Sequence, residues 1–537
     1  MSARPAVSPS IDATPPDPIQ LEVMSNALSG IAEEMGARLI RAAYSANIKE
    51  RRDCSTALFD AQGRCIAQAA HIPVHLGALG DAVRAVMECQ PQAGDIFLLN
   101  DPFHGGSHLP DLTVITAIPG LDPDQLDPVA YAVNRAHHAD VGGMSPGSMP
   151  ADSIDLWQEG LVIPPVRVGK VIEVDPSRSA TGESAYECRW DETILRLILA
   201  NMRNPQQRRG DLMAQAGSNL WGLKRLQQLM LAKGSRMWEV IDGVLVATEH
   251  RMRARIAQWP DGCYEAEDYL EWDPERIRIQ VAVTVAGDQL RVDFAGTDGA
   301  IVGNLNAPLA VTRAAVLFSL RCLLDPNIPS NNGIEAPITL SAPPGSLVNA
   351  PFPSAVVAGN VETSQRIADL ILKALAPIAG ERAIAQGQGT MNNVIVGNRS
   401  FTYYETLGGG QGAGPHSVGS SGIHVGMSNT LNTPIEALEM DYPLRILSYQ
   451  LRRGSGGQGS QQGGEGIIRT IQVLEDCTLS LLSERRQYAP QGSGGGQAAQ
   501  VGENTLNGDR IPGKVTRHLK AGDSLTLATP GGGGWGQ

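Results

Sequence analysis

The chain has 537 residues, too many for one hydrophobic core, so two or three packed regions are expected. Lys plus Arg number 43 against 56 Asp plus Glu, a net charge of −13 with no basic stripe interleaved with aromatics, which argues against nucleic acid as a partner. No apolar run approaches the roughly 20 residues that span a bilayer, and the seven cysteines are scattered without a CxxC pair, so the sequence reads as a soluble, cytoplasmic protein with no membrane partner.

Met1 to Pro18 is rich in Pro, Ala and Ser and lacks a basic start and an apolar core, so residues 1–20 are expected to be a disordered leader and not a signal peptide. From Leu21 the apolar residues Leu21, Met24, Leu28, Ile31, Met35, Leu39 and Ala43 recur at three and four, which predicts a long amphipathic helix ending near Asn47. A charged cluster, Ile48 to Ser55, then leads into a strand at Thr56 to Phe59 and a turn at Asp60 to Gly63. Such runs are usually solvated faces. The functional alternative turns Glu50 and Asp53 toward a site, with an arginine orienting them or contacting an anion. His71-Ile72-Pro73-Val74-His75 follows and leads into a helix through Val83, Val86 and Met87; either histidine could reach that site, His75 bordering the helix start.

The stretch from Asn100 to Asp140 concentrates the chemistry, holding His104, His108, His137 and His138 of the chain's ten histidines together with Asp101, Asp111 and Asp140. An apolar strand, Ile96 to Leu99, stops at Asn100-Asp101-Pro102, and a glycine-paired loop follows. Leu112 to Ile118 and Val129 to Val133 read as two more strands, so the histidines sit after one strand and at the end of another. His108 and Asp111, three apart, can both point at one ion. His137 and His138 are adjacent in an extended segment and face opposite ways, so at most one of them ligates the same ion. Two imidazoles and a carboxylate with open positions suit Mn, Fe or Zn; buried structural histidines with aspartates as turn caps are the plain alternative.

Val141 to Ser148 is small and turn-rich, and Leu161 to Val168, with Pro164-Pro165, suggests an edge strand. From Glu192 to about Gln258 the period is helical, broken at Asn204-Pro205 and Gly234. A period of two then takes over, with Ile277 to Val285 and Leu290 to Phe294 around Gly287-Asp288 giving a hairpin, followed by helices from about Leu309 to Leu324 and through Ile367 to Leu375. The last third carries glycine runs at 408–414, 454–466, 492–496 and 531–534 without a P-loop ending or a repeat period; they are expected to pack on a partner or line a pocket. The fold class is therefore α+β: a leader at 1–20, a metal-site α/β region at 21–190, a helical region at 191–260, a mixed region at 261–400 and a Gly-rich β/loop region at 401–537.

The stretches SANIKERRDCSTALFD, HIPVHLG, GDIFLLNDPFHGGSHLPD, NRAHHADVGGMSPGS, VDFAGTD, NAPFPSAVVAGNVETSQRI, YYETLGGGQGAG, NTLNTPIEALE and SERRQYAPQG, in that order from Leu21 onward, resemble the hydantoinase B/oxoprolinase family. Cys54 departs from an aromatic usual there, and Ser460 to Gly464 lacks an arginine often seen before the glycine pair. The resemblance implies the B subunit of an ATP-dependent hydrolase opening a hydantoin, oxoproline or lactam ring, assembled with a hydantoinase A-type subunit as a heterotetramer or larger. That partner would use ATP with Mg to phosphorylate the small cyclic amide. In the family's acetone carboxylase relatives a divalent metal is held by an HxxD motif and a downstream histidine, which map onto His108, Asp111 and His137; here the metal (Mn, Zn or Fe) would ready water for attack. Glu50 or Asp53 would take its proton, and Arg52 would hold an anionic group. A subunit of an ATP-dependent ketone carboxylase and a non-catalytic scaffold for the ATPase are the rival readings.

Overall fold

A computed structural model describes residues 17–122, 124–174 and 185–537; most of the expected leader lies outside the described residues. The first helix, α1 (Pro18–Ala42), is capped by Asp17, whose side chain accepts from the Ile19 amide at 3.2 Å, and it buries Met24, Leu28, Ile31, Met35 and Leu39 as the periodicity predicts. It ends before Asn47 because the Tyr44 and Ser45 amides donate to Asp211 Oδ1 at 2.8 and 3.1 Å, which draws the chain off the helix axis. A single turn, α2 (Ala46–Lys49), follows.

Next come β1 (Cys54–Asp60), β2 (Cys65–Ala70), α3 (Leu79–Glu88), β3 (Asp95–Leu99), β4 (Asp111–Ile118), β5 (Ala130–His137), α4 (Leu156–Glu159), β6 (Val166–Val174) and β7 (Ala185–Trp190). The strands form one antiparallel sheet in the order β2-β1-β5-β4-β3-β6-β7. The four strands β1, β3, β4 and β5 are buried along their whole length because both faces are covered. The expected edge strand at 161–168 is corrected in two respects. It begins at Val166, after Pro164-Pro165 has supplied the extended approach without needing to donate to the ladder, and it pairs on both sides, leaving β7 at the edge.

Helices α5 (Glu192–Leu199), α6 (Pro205–Lys233) and α7 (Arg236–Ile256) break where expected, at the left-handed Asn204 before Pro205 and at Gly234. With α1 they cover one face of the sheet through Leu58, Leu98, Leu112 and Val114, so the helices and the metal-site region share a core. The other face meets α3 through Ala57, Phe59, Phe97, Ile115 and Val133. The second sheet is built from β8 (Gly262–Trp272), β9 (Glu275–Ala286) and β10 (Gln289–Asp293), with β11 (Ile338–Ser341) added parallel to β10 after α8 (Leu309–Leu324). Its back is closed by α9 (Ser364–Leu375).

The last third folds as β12 (Asn393–Gly397), β13 (Thr402–Thr406), α10 (Ile435–Asp441), β14 (Leu444–Arg452), β15 (Gly466–Val473), β16 (Cys477–Leu482), β17 (Glu503–Leu506), β18 (Asp509–Arg510), β19 (Lys514–Leu519) and β20 (Ser524–Ala528), in two small sheets. The glycine runs between them pack on one another. Gly464 donates to Gln411 O, Gly532 to Gly464 O, Gly457 to Gly532 O and Gly534 to Gln497 O at 2.8–3.0 Å, so buried backbone groups satisfy one another across extended segments. A methyl group on Gly532 would lie 2.0 Å from Gln411 O, which is why the segments must be glycine.

Candidate metal centre

Register decides what converges. On β5 and β4, His137 is paired with Asp111, Arg135 with Thr113 and Val133 with Ile115; on β1, Ser55 pairs with Arg135 and Ala57 with Val133. Because alternate residues share a face, that face of the sheet is stratified. Its lower layer is the apolar contact with α3; above lie Ser55, Arg135 and Thr113; the top layer holds His137, Asp111 and, one residue before β1, Asp53, whose carbonyl accepts from the His137 amide at 3.0 Å. His108 enters from the loop after β3. That loop doubles back through Gly105, at φ 89°, where a methyl group would strike the Ala82 amide at 2.2 Å. Arg135 pins it, its Nη2 donating to Gly105 O at 2.6 Å and its Nε to Thr113 Oγ1 at 2.8 Å.

The result is a buried cluster in which His108, Asp111 and His137 each offer one ligand atom, all within 4.8 Å of one another. His108 Nε2 lies 3.1 Å from His137 Nδ1, and Asp111 Oδ1 lies 3.1 Å from His137 Nδ1 and 3.6 Å from His108 Nε2. Burial lowers the His108 pKa to about 3, so this imidazole is neutral with a lone pair to give. Burial alone would raise the pKa of Asp111, but His108, His75 and the hydrogen bonds from His137 and His75 outweigh it and keep the carboxyl ionised. Two imidazole nitrogens and one anionic oxygen, buried together, fit a divalent transition metal or zinc.

Around this triad the His137 ring stacks on Tyr404 of β13 at 4.6 Å and 26°, and the Arg51 guanidinium lies 4.6 Å from the Tyr404 ring centroid. Arg51 is fully buried and donates to Tyr404 O at 2.6 Å and Thr406 Oγ1 at 2.9 Å. The C-terminal third thus closes over a candidate site whose three side chains come from the N-terminal sheet and the loop after β3.

Of the residues singled out in the sequence, His108, Asp111 and His137 meet, and Asp53 is buried beside them, its pKa raised by burial and only partly countered by His137. His75 joins the cluster through Asp111. Glu50 is half-buried at the end of α2, and Arg52 is exposed at φ 56°; the buried arginine of that run is Arg51. His138 takes the opposite face of the strand and meets Gln215 of α6 at 2.9 Å. The exposed His104 is paired with the buried Asp101 at 2.7 Å, and His71 faces Glu33 at 3.5 Å. Asp140 accepts from the Gly142 and Gly147 amides and from Arg203, a turn-capping role. Arg51, Arg135 and Tyr404 escaped sequence reasoning because nothing local marks them; Tyr404 reaches the site from another sheet.

A family model for hydantoinase B/oxoprolinase matches residues 17–537. The chain belongs to the hydantoinase B/oxoprolinase family. This family member is 38% identical to 5-oxoprolinase 1 of Arabidopsis thaliana over 97% of the chain and 42% of that protein. It is 31% identical to a Pseudomonas protein named as the B component of a D-/L-hydantoinase, over 97% of the chain and 90% of that protein. Its fold superposes on the crystal structure of an ATP-dependent caprolactamase from Pseudomonas jessenii with a TM-score of 0.86 and 26% identity, covering 97% of this chain and 91% of the other. The chain spans about two fifths of the 5-oxoprolinase it matches, at 42%, but nearly all of the hydantoinase component. Among the described residues no helix is long and apolar enough to cross a membrane.

Proposed function

We propose that this family member is the metal-holding component of an ATP-dependent hydrolase of cyclic amides, opening a hydantoin, oxoproline or lactam ring that a hydantoinase A-type companion has phosphorylated at the expense of ATP with Mg. The observation that carries the reading is the buried His108, Asp111 and His137 cluster, set by the register of β4 and β5 inside a family whose relatives bear hydantoinase, oxoprolinase and caprolactamase names.

An amide resists water because its carbonyl is a weak electrophile and its nitrogen a poor leaving group, so activation by phosphate transfer must come first. A divalent ion held by the three side chains would supply Lewis acidity and lower the pKa of water toward neutrality. The chain's own residues do the rest. Asp53, on the same face beside His137, is the carboxylate placed to take up a proton, whereas Glu50 lies at the end of α2. Arg135, one layer below, holds the loop that carries His108. The closing layer of Arg51 and Tyr404 keeps bulk water from the activated amide.

The test is reconstitution with the companion ATPase on a panel of hydantoin, 5-oxoproline and caprolactam, following ATP consumption and ring opening. The reading expects ring opening coupled to ATP with at least one of them, abolished by His108→Ala while the complex still assembles. Ring opening by His108→Ala at the wild-type rate, or ATP use that consumes bicarbonate with a ketone instead, would overturn it.

A further inference from the structure

A third imidazole touches the triad without facing its centre. His75, fully buried, places Nε2 3.2 Å from Asp111 Oδ2 and Nδ1 3.1 Å from Ser55 Oγ, while its backbone carbonyl accepts from Gln68 Nε2 at 3.0 Å. Its ring is therefore held at both nitrogens and its backbone at a third point. The 3-10 turn Pro73–His75 that carries it is fixed at Pro73, so the ring arrives from outside the sheet and meets Ser55 and Asp111 on two non-adjacent strands. A carboxylate oxygen can only accept, so Nε2 carries the hydrogen that faces Asp111.

The consequence lies in Asp111. Its Oδ2 accepts from both His75 and Ser107, and its Oδ1 is left for His108 and His137. A carboxylate without those anchors turns about its last bond and offers either oxygen, or both, to a cation. We propose that His75 is a positioning residue that locks the Asp111 carboxylate to present one oxygen, Oδ1, to a divalent cation, and that it thereby sets the affinity of the site. This rests on the reading that the triad takes a metal, and it extends that reading from the three ligands to the residue that orients the anionic one.

The experiment titrates Mn2+ against a chromophoric chelator with the full chain as wild type, His75→Ala, His75→Gln and His75→Asn, alongside the melting temperature of each metal-free protein. Glutamine puts an amide N–H where Nε2 was, and asparagine reaches only the Ser55 side. Expected is a loss of affinity of about 10–100-fold for His75→Ala, the same loss for His75→Asn, and recovery in His75→Gln. Mn2+ affinity of His75→Ala equal to wild type would overturn the proposal, as would equal weakening in the glutamine and asparagine variants in step with their melting temperatures, which makes the role one of packing. A wild-type chain that takes up neither Mn2+ nor, in the same titration, Zn2+ or Fe2+ would overturn the metal reading itself, a result distinguishable from either.

Discussion

Asp111 and His137 are cross-strand partners on β4 and β5, and their facing atoms lie 3.1 Å apart. The pairing has a counterpart one residue on. His138 has crossed to the other side of the sheet, where its Nε2 meets Gln215. One backbone step separates a candidate ligand from a residue that fastens the sheet to α6.

His137→Ala and His138→Ala should therefore part company. The first should abolish stoichiometric metal binding by elemental analysis. The second should leave it intact and lower stability by about 1–3 kcal/mol, the cost of stranding the buried Gln215 oxygen, plus a cavity contribution. Thermal melts with and without metal read both; metal loss in His138→Ala would mean the two imidazoles had been assigned the wrong way round.

The two adjacent arginines should differ more than their sequence position suggests. Arg51→Ala takes the side-chain donor from the buried Tyr404 O, at about 1–3 kcal/mol, leaves Thr406 Oγ1 with Thr430 alone, and loosens the Tyr404 ring that stacks on His137. Arg52→Ala, at an exposed position, should shift stability by no more than about 0.5 kcal/mol. Urea denaturation and ring-opening activity of the pair check this; a strong activity loss in Arg52→Ala would restore that residue to the site.

Glycine substitutions should have opposite signs in the two halves of the chain. Gly532→Ala puts a methyl group 2.0 Å from Gln411 O between backbones that cannot move apart, and should yield little folded protein. Gly30→Ala, in the exposed middle of α1 with nothing within 4 Å, should stabilise by about 0.5–1 kcal/mol. Soluble yield and melting temperature are the readouts, and a well-folded Gly532→Ala would refute the close packing of the glycine segments.

Glu362 gives the fold a pH dependence of its own. Burial, and then the neighbouring Glu484, push its pKa to about 8 against the countering Lys514 and Arg486, while the Met391 amide and Asn393 Nδ2 donate to its Oε1. The folded protein keeps this proton up to about 8 and the unfolded chain releases it near 4.5, so the folded state binds more protons between those values. The stability it contributes is complete below about 4.5 and is lost as pH rises through 8. Glu362→Gln, which keeps the acceptor and removes the titration, should flatten the fall in melting temperature between pH 5 and 8; an unchanged slope would place the titration elsewhere.

Much of the fold was legible locally. The stripe of α1, the breaks at Asn204-Pro205 and Gly234, and the hairpin around Gly287-Asp288 follow from periodicity and turn chemistry, and all are present. The edge strand at 161–168 misled because a proline pair marks the approach to a strand as readily as an edge. The acidic Tyr264 to Glu271 hid β8, whose alternation is charged against half-buried and lacks an apolar stripe. The glycine runs read as loops that pack on a partner or line a pocket, since no local rule says that extended backbones will bond to one another.

The sequence by itself determined that His108, Asp111 and one of two adjacent histidines could share an ion, that β4 and β5 would be strands, and that the chain belonged with its relatives. The tertiary structure decided that His137 and not His138 turns inward, that Arg51 and not Arg52 is buried, and that His75 grips the far oxygen of Asp111. The reason is that alternation along a strand is a local property, whereas the face that becomes the interior depends on register with distant strands and on which helices cover each side.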